Sequence, residues 1–206
     1  RWFYFKSNGK MIKADNGERT KDKTINGKKY AFDEYGAMVA EWSLDEGDEK
    51  KASDTEAQEA ASTASTSEAW EGNGKYAKYA QAWKYYNSVE DGSRVSKGWF
   101  KVVPAEMLNK EKYDDDEESW YYADGSGNLY AGEFKTIKGK KYAFRNDGRM
   151  LTGLKFIKEG DEDFADVKAD DDGSRPFDNE DDFFDNAIEF YEPNGYKCYY
   201  FGGDDD

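Results

Sequence analysis

Along this chain, aromatic positions alternate with small or polar ones for four or five residues and then reach a glycine. A period of two predicts strands with one buried face, and the glycine predicts a turn that needs positive φ. Two stretches carry the pattern most fully: Gly27-Lys28-Lys29-Tyr30-Ala31-Phe32 with Gly36 and Met38, and Gly139-Lys140-Lys141-Tyr142-Ala143-Phe144 with Gly148 and Met150. In both, Tyr, Phe, Gly and Met fall at +3, +5, +9 and +11 from the first glycine. Weaker copies place Phe3, Phe5, Gly9 and Met11 in the same columns after Trp2, and Tyr121, Ala123, Gly127 and Leu129 after Trp120. Tyr86 and Gly92, downstream of Trp83, give a degenerate copy, and Tyr199 and Phe201 begin another. Self-similarity at matched spacing predicts a repeat architecture.

A second strand is predicted at Trp42-Ser43-Leu44, at Trp99 to Val103, at Phe134 to Ile137 and at Leu154 to Ile157. Between Ile137 and Tyr142 the link is only Lys138-Gly139-Lys140-Lys141, which predicts a tight hairpin. The expected fold class is therefore all-β: a solenoid of stacked β-hairpin repeats of about 20 residues, marginal singly and stable when stacked. Elsewhere the link is expanded. Hairpin repeats are expected over 1–44 and 83–158, the latter with a short acidic insertion at 104–119. A low-complexity, acidic insertion fills 45–82, where Ser53 and Glu56 form a capping-box pattern, and a second acidic insertion fills 159–192. In the latter, Phe164, Phe177, Phe183 and Phe184 are expected to tuck the segment against the repeats. Residues 193–206 begin a further repeat, and the chain reads as a fragment of a longer one.

Composition narrows the chemistry. Hydrophobic residues make up 37% and aromatic residues 17%, so 16 Tyr, 13 Phe and 6 Trp must supply most of the burial. The absence of His removes the commonest general base and metal ligand. The single Cys198 excludes an internal disulfide, and it is expected to be a semi-buried structural residue. No metal or cofactor site and no catalysis are expected. An EF-hand reading centred on Gly173 fails, because Lys168 and Asn179 fall where carboxylates are required. Solvated acidic loops are the default expectation, and irregular calcium binding at Asp170–Asp172 or Asp181–Asp185 is the weaker reading. The net charge of −15 is unevenly placed: 159–192, 45–69, 114–118 and 204–206 carry −13, −6, −5 and −3, which leaves the framework at +12. Acidic loops would thus limit where such a framework meets an anionic polymer.

Trp120-Tyr121-Tyr122, Gly98-Trp99, the Ile137–Phe144 phrase and Gly148-Arg149-Met150-Leu151-Thr152-Gly153 resemble the cell-wall-binding repeat family. That family includes choline-binding modules, glucan-binding repeats and the repetitive tails of large secreted toxins. The resemblance implies shallow aromatic sites between consecutive hairpins, non-catalytic binding of a cell-surface polymer (glucan-like polysaccharide, teichoic-type polymer or choline), and the anchoring of a secreted or surface protein of a Gram-positive-type envelope. It implies ligand-binding roles for Trp2, Trp42, Trp83, Trp99, Trp120, Tyr122 and Met150. The expected partner is a cell-wall polysaccharide or choline-bearing polymer, with neither nucleic-acid binding nor membrane insertion, and with a protein partner possible at the acidic insertions. The alternative function is a structural spacer or protein-interaction module. In the column of Trp2 and Trp120 the best copies carry Lys29 and Lys141; in the column of Trp42 and Trp99 the other copies are expected to carry Glu133 and Leu154. The lysines lean toward a glycan or anionic polymer. Tyr30, Phe32, Tyr142 and Phe144 are expected in the core, and the methionines chiefly as gap-fillers.

Overall fold

The computed structural model of the chain describes residues 1–44, 74–161, 163–169 and 179–202. Within them, strands β1 (Lys21–Ile25) and β2 (Lys28–Phe32) form one antiparallel pair, and β3 (Glu41–Leu44) and β4 (Trp83–Tyr86) a second. β5 (Gly98–Val102) pairs with β6 (Ser119–Ala123), and β7 (Glu133–Ile137) with β8 (Lys140–Phe144). β9 (Gly153–Glu159) is the centre of a three-stranded sheet, flanked by β10 (Phe164–Ala169) and β11 (Lys197–Phe201). Among the described residues three α-helices interrupt the hairpins: α1 (Gly74–Gln81), α2 (Lys110–Asp114) and α3 (Glu180–Tyr191). The fold is thus mostly small β-hairpins with few helices.

Turn chemistry explains the tight links. Asn26 and Gly27 take φ of 49° and 82°, and Lys138 and Gly139 take 50° and 82°. Two successive positive-φ residues twist the chain in the sense that matches flanking strands. After each second strand the chain turns back to a one-residue bridge: Phe5 with Met11, Phe32 with Met38, Ala123 with Leu129, Phe144 with Met150. In the degenerate copy Tyr86 bridges Arg94, so its turn is two residues longer and Arg94 stands in the methionine column.

Successive copies touch through that column. Built on Gly36, a Cβ would meet Met11 Cε at 2.6 Å, and the same approach recurs from Met38 to Gly92, from Arg94 to Gly127 and from Leu129 to Gly148. The turn glycine is required twice over, by its φ and by the side chain lying on it. Backbone bonds repeat the relation: the Met38, Arg94 and Met150 amides donate to the Trp2, Lys29 and Trp120 carbonyls at 2.8, 2.8 and 2.9 Å.

Aromatic rings fill the space between copies. Phe32 and Phe144 are buried as expected, whereas Tyr30 and Tyr142 are half-buried. α1 adds Tyr79 and Ala80 to a core with Phe100, Leu108 and Tyr121. α3 packs Phe183, Ala187 and Tyr191 against Phe156 of β9.

Cross-strand register corrects one alignment. Trp42 pairs with Tyr85, Trp99 with Tyr122, and Phe134 with Ala143, so Phe134 and not Glu133 stands in the ring column. Two further corrections concern burial. Phe164 and Phe183 are buried, but Phe184 is 55% exposed because it lies off the apolar face of α3. Cys198 is exposed, since β11 pairs only with β9 and Cys198 alternates with the inward Tyr199 and Phe201. The Ser53–Glu56 capping pattern, Phe177 and Asp170–Asp172 lie outside the described residues; Asp181–Asp185 falls within α3.

Candidate functional site

The ring column sits at the seam between consecutive hairpins. Trp42, on β3, meets Tyr85 of its own hairpin at 5.2 Å between centroids, and Phe100 and Tyr121 of the next at 5.8 and 5.1 Å. Trp99, on β5, meets Tyr122 at 5.1 Å, then Tyr142 and Phe144 of the following hairpin at 4.8 and 5.8 Å. Phe134, on β7, meets Phe164 and Tyr199 of the three-stranded sheet at 5.1 and 5.0 Å. Edge-to-face and offset contacts at these separations add to the gain from burial.

At the Trp42 seam the rings open into a cleft of about 890 Å³. Trp42, Trp83 and Tyr85 form its aromatic side, and the segment Val102–Met107 faces them. Trp42 is fixed by its indole N–H, which donates to the Val103 carbonyl at 2.8 Å. Trp83 stands edge-on to Trp42 at 6.5 Å and to Tyr79 of α1 at 6.2 Å. Glu41, Glu106, Asp114, Asp116 and Glu118 also line it, with Tyr113 among them. Asp114 and Glu106 are held by Lys110, at 2.8 and 3.5 Å.

Glu41 and Asp116 are also left-handed, with φ of 59° and 55°, a conformation that costs free energy for residues other than glycine. Burial pushes the Tyr85 phenol up, and the charges of Glu41 and Glu118 push it further. The aromatic side of the cleft therefore lies in a negative field. A short ladder holds the wall: Asn109 caps α2 by accepting from the Lys112 amide at 3.0 Å and donates to the buried Asp147 at 3.2 Å. Asp147 in turn accepts from Arg149 Nε at 2.9 Å.

A smaller cleft of about 240 Å³ combines the same groups. Trp2, Tyr30, Phe32 and Met38 line it beside Glu90 and Asp91. Asp91 lies 3.8 Å from Lys28. Trp2 is 59% exposed.

The residues read from the sequence thus fall into three groups. Trp42 and Trp83 come together on the large cleft, and Trp2 stands on the small one. Trp99, Trp120 and Tyr122 also come together, with Trp99 to Trp120 at 6.4 Å, but there rings are packed on rings. Trp120 additionally has the Lys101 ammonium 5.8 Å from its centroid. Met150 reaches this group through its backbone bond to Trp120. Tyr85 and the carboxylates were not singled out as ligand residues from the sequence, while Tyr30 was expected in the core and Met38 as a gap-filler. Met38 was discoverable, because it repeats the column of Met150.

Of the lysines in the tryptophan column, Lys141 places its ammonium 4.4 Å from the Phe134 centroid and 5.7 Å from that of Tyr199.

No family model and no curated protein matches the chain. Solved structures do. Choline binding protein F from Streptococcus pneumoniae aligns at 19% identity and a TM-score of 0.42, over 80% of this chain and 38% of that one. The chain resembles choline-binding repeat proteins. The autolysin LytC from Streptococcus pneumoniae aligns at 16% identity and 0.39, over 81% and 31% of the two chains. The choline binding domain of Spr1274 in Streptococcus pneumoniae aligns at 21% and 0.34, over 63% and 92%. The chain therefore spans less than two fifths of choline binding protein F and about a third of the autolysin. No helix among the described residues is long and apolar enough to cross a membrane.

Proposed function

We propose that the chain binds, without catalysing a reaction, a cell-surface polymer that carries a choline-type quaternary ammonium, and that it does so at the seams of a β-hairpin solenoid. One observation carries the reading: Trp42, Trp83 and Tyr85 line a cleft whose charged lining residues are all acidic. A quaternary ammonium has no N–H to donate, so ring faces and nearby negative charge are what recognise it. A neutral glucan would stack on the rings and could donate hydroxyls to Glu41, Asp116 and Glu118, but only a cation gains charge attraction from them, and a bare polyanion would be repelled. The Trp2–Tyr30–Met38 cleft repeats the combination, which supports avidity from weak sites along one polymer. In this reading the segment anchors a secreted protein at the cell surface.

Titration with choline, dextran and purified cell wall, followed by tryptophan fluorescence, tests it. Choline should give a saturable change that Trp42→Ala removes, and wall material should compete with choline. A response to dextran alone would replace the cation by a sugar, and silence to all three would end the reading. The second reading, a protein-interaction module, is favoured by Phe184 and Ile188, four residues apart on one face of α3 and 55 and 56% exposed. It fails if Phe184→Ser with Ile188→Ser leaves every interaction of the parent protein unchanged while Trp42→Ala abolishes wall binding.

A further inference from the structure

The seam between β7–β8 and the three-stranded sheet has the ingredients of an aromatic cation site, and a cation is already in it. Phe134 and Tyr199 stand 5.0 Å apart with their planes inclined at 45°. Lys141 Nζ lies 4.4 Å from one centroid and 5.7 Å from the other. Other lysines cover a single ring each: Lys23 over Tyr4, Lys101 over Trp120, Lys135 over Tyr130 and Lys158 over Tyr196. Among the described residues Lys141 is the one placed over two.

Its position in the repeat gives this geometry a meaning. Counting back three residues from each bridged position (Phe5, Phe32, Tyr86, Ala123, Phe144) places Trp2, Lys29, Trp83, Trp120 and Lys141 in one column. At the Trp42 seam that column holds Trp83, which lines an open cleft. At the Phe134 seam it holds Lys141, whose side chain is long enough to bring its own ammonium over the rings. Lys141 is exposed, so the charge keeps water on its outer side and pays little desolvation. Cation–π attraction at exposed sites is weak, so the arrangement excludes a competitor more than it stabilises the fold.

We propose that Lys141 is a specificity-determining residue, a built-in cation that fills the Phe134–Tyr199 site and closes this seam to external quaternary ammonium ions, so that removing it exposes a latent site for a small organic cation. The inference goes beyond the proposed function and does not need it to hold. It concerns a seam that the wild-type chain would leave unoccupied by ligand.

Tetramethylammonium chloride, with sodium chloride at equal ionic strength as control, is the probe. In NMR titrations of the full chain, the ring resonances of Phe134 and Tyr199 should stay still in the wild type and move saturably in Lys141→Ala. The variant should take up one equivalent more than its parent. Equal stoichiometry, or unmoved rings in the variant, overturns the proposal. Should Lys141→Ala fail to fold, the wild type alone decides: the Lys141 ε-methylene protons should be shifted upfield by ring currents, and unshifted protons overturn the proposal. A wild type blind to choline at Trp42 would sink the proposed function while leaving the difference at Phe134 and Tyr199 to be read.

Discussion

The seam at Trp42 and the seam at Phe134 are built on the same hairpin plan, and they present opposite surfaces. In each, a ring on the first strand of one hairpin packs on rings of the next unit. They differ in the column that faces the ring. Trp83 adds aromatic surface and leaves a cleft beside Glu41, Asp116 and Glu118, whereas Lys141 supplies the cation itself. On the proposed reading, the residue in this column helps to set whether a seam can receive a ligand, though Trp120 in the same column meets a seam already filled by rings. The seam between β1–β2 and β3–β4 takes a third course. There Asp22 stands in the ring column, Arg94 approaches it at 3.6 Å, and Lys84 is buried nearby. Regularity of the sequence repeat follows packing, and the proposed function rests on the departures from it.

The largest effect should come from Trp42→Ala. Removing a ring that touches Trp83, Tyr85, Phe100 and Tyr121 should cost about 3 kcal/mol of stability and abolish choline binding. Urea denaturation and calorimetric titration read the two losses, and Trp42→Phe should restore most of the first. A variant that keeps full affinity would show that the cleft is not the site.

Next comes an exchange of character between the seams. Trp83→Lys places an ammonium where the open cleft has a ring, and choline affinity should fall about tenfold, a loss near 1.4 kcal/mol. Unchanged affinity would break the equivalence of Trp83 and Lys141. Neutralising the rim is milder: Glu41→Gln with Glu118→Gln should weaken choline binding about threefold to fivefold, near the upper end for exposed charge pairs. The salt dependence of binding should flatten in the same variant. A steep salt dependence that survives would place the negative field elsewhere.

The smallest effect concerns the polar seam. Burial pulls the Lys84 ammonium down to about 8, the Arg94 charge pulls the same way, and Asp22 and Asp124 oppose them. Its folded pKa lies below the ordinary 10.5, so between about pH 8 and 10 the unfolded chain binds more protons and stability rises with pH. From pH 8 to 9 the gain should be just under about 1 kcal/mol in wild type and missing in Lys84→Met. Denaturation midpoints across that window check it, and equal slopes in the two proteins would refute the burial of the charge.

Much of this architecture was readable from the chain. Strands, turns and the methionine column follow from alternation and glycine spacing, and the turn glycines carry the positive φ expected of them. The grouping of Trp99 with Trp120 and Tyr122 was also legible, because these residues share the columns of the repeat, whereas Trp83 as the partner of Trp42 was not. Register was less so. Gly98-Trp99 and Gly132-Glu133 look alike as small-residue pairs, and only cross-strand pairing puts Phe134 opposite Ala143. The rim carboxylates could not be found by column, since Glu41, Asp116 and Glu118 come from separate segments that converge only in space. The occupation of Phe134 and Tyr199 by Lys141 was hidden for the same reason: Tyr199 arrives from β11, beyond the second acidic insertion.

The most direct test is a single NMR titration of the wild-type chain with choline. The predicted result is saturable movement of the Trp42 and Trp83 indole resonances, with Trp2 following, while the rings of Phe134 and Tyr199 stay where they are. Movement at Phe134 and Tyr199 with Trp42 and Trp83 silent would contradict the assignment of the open and the closed seam.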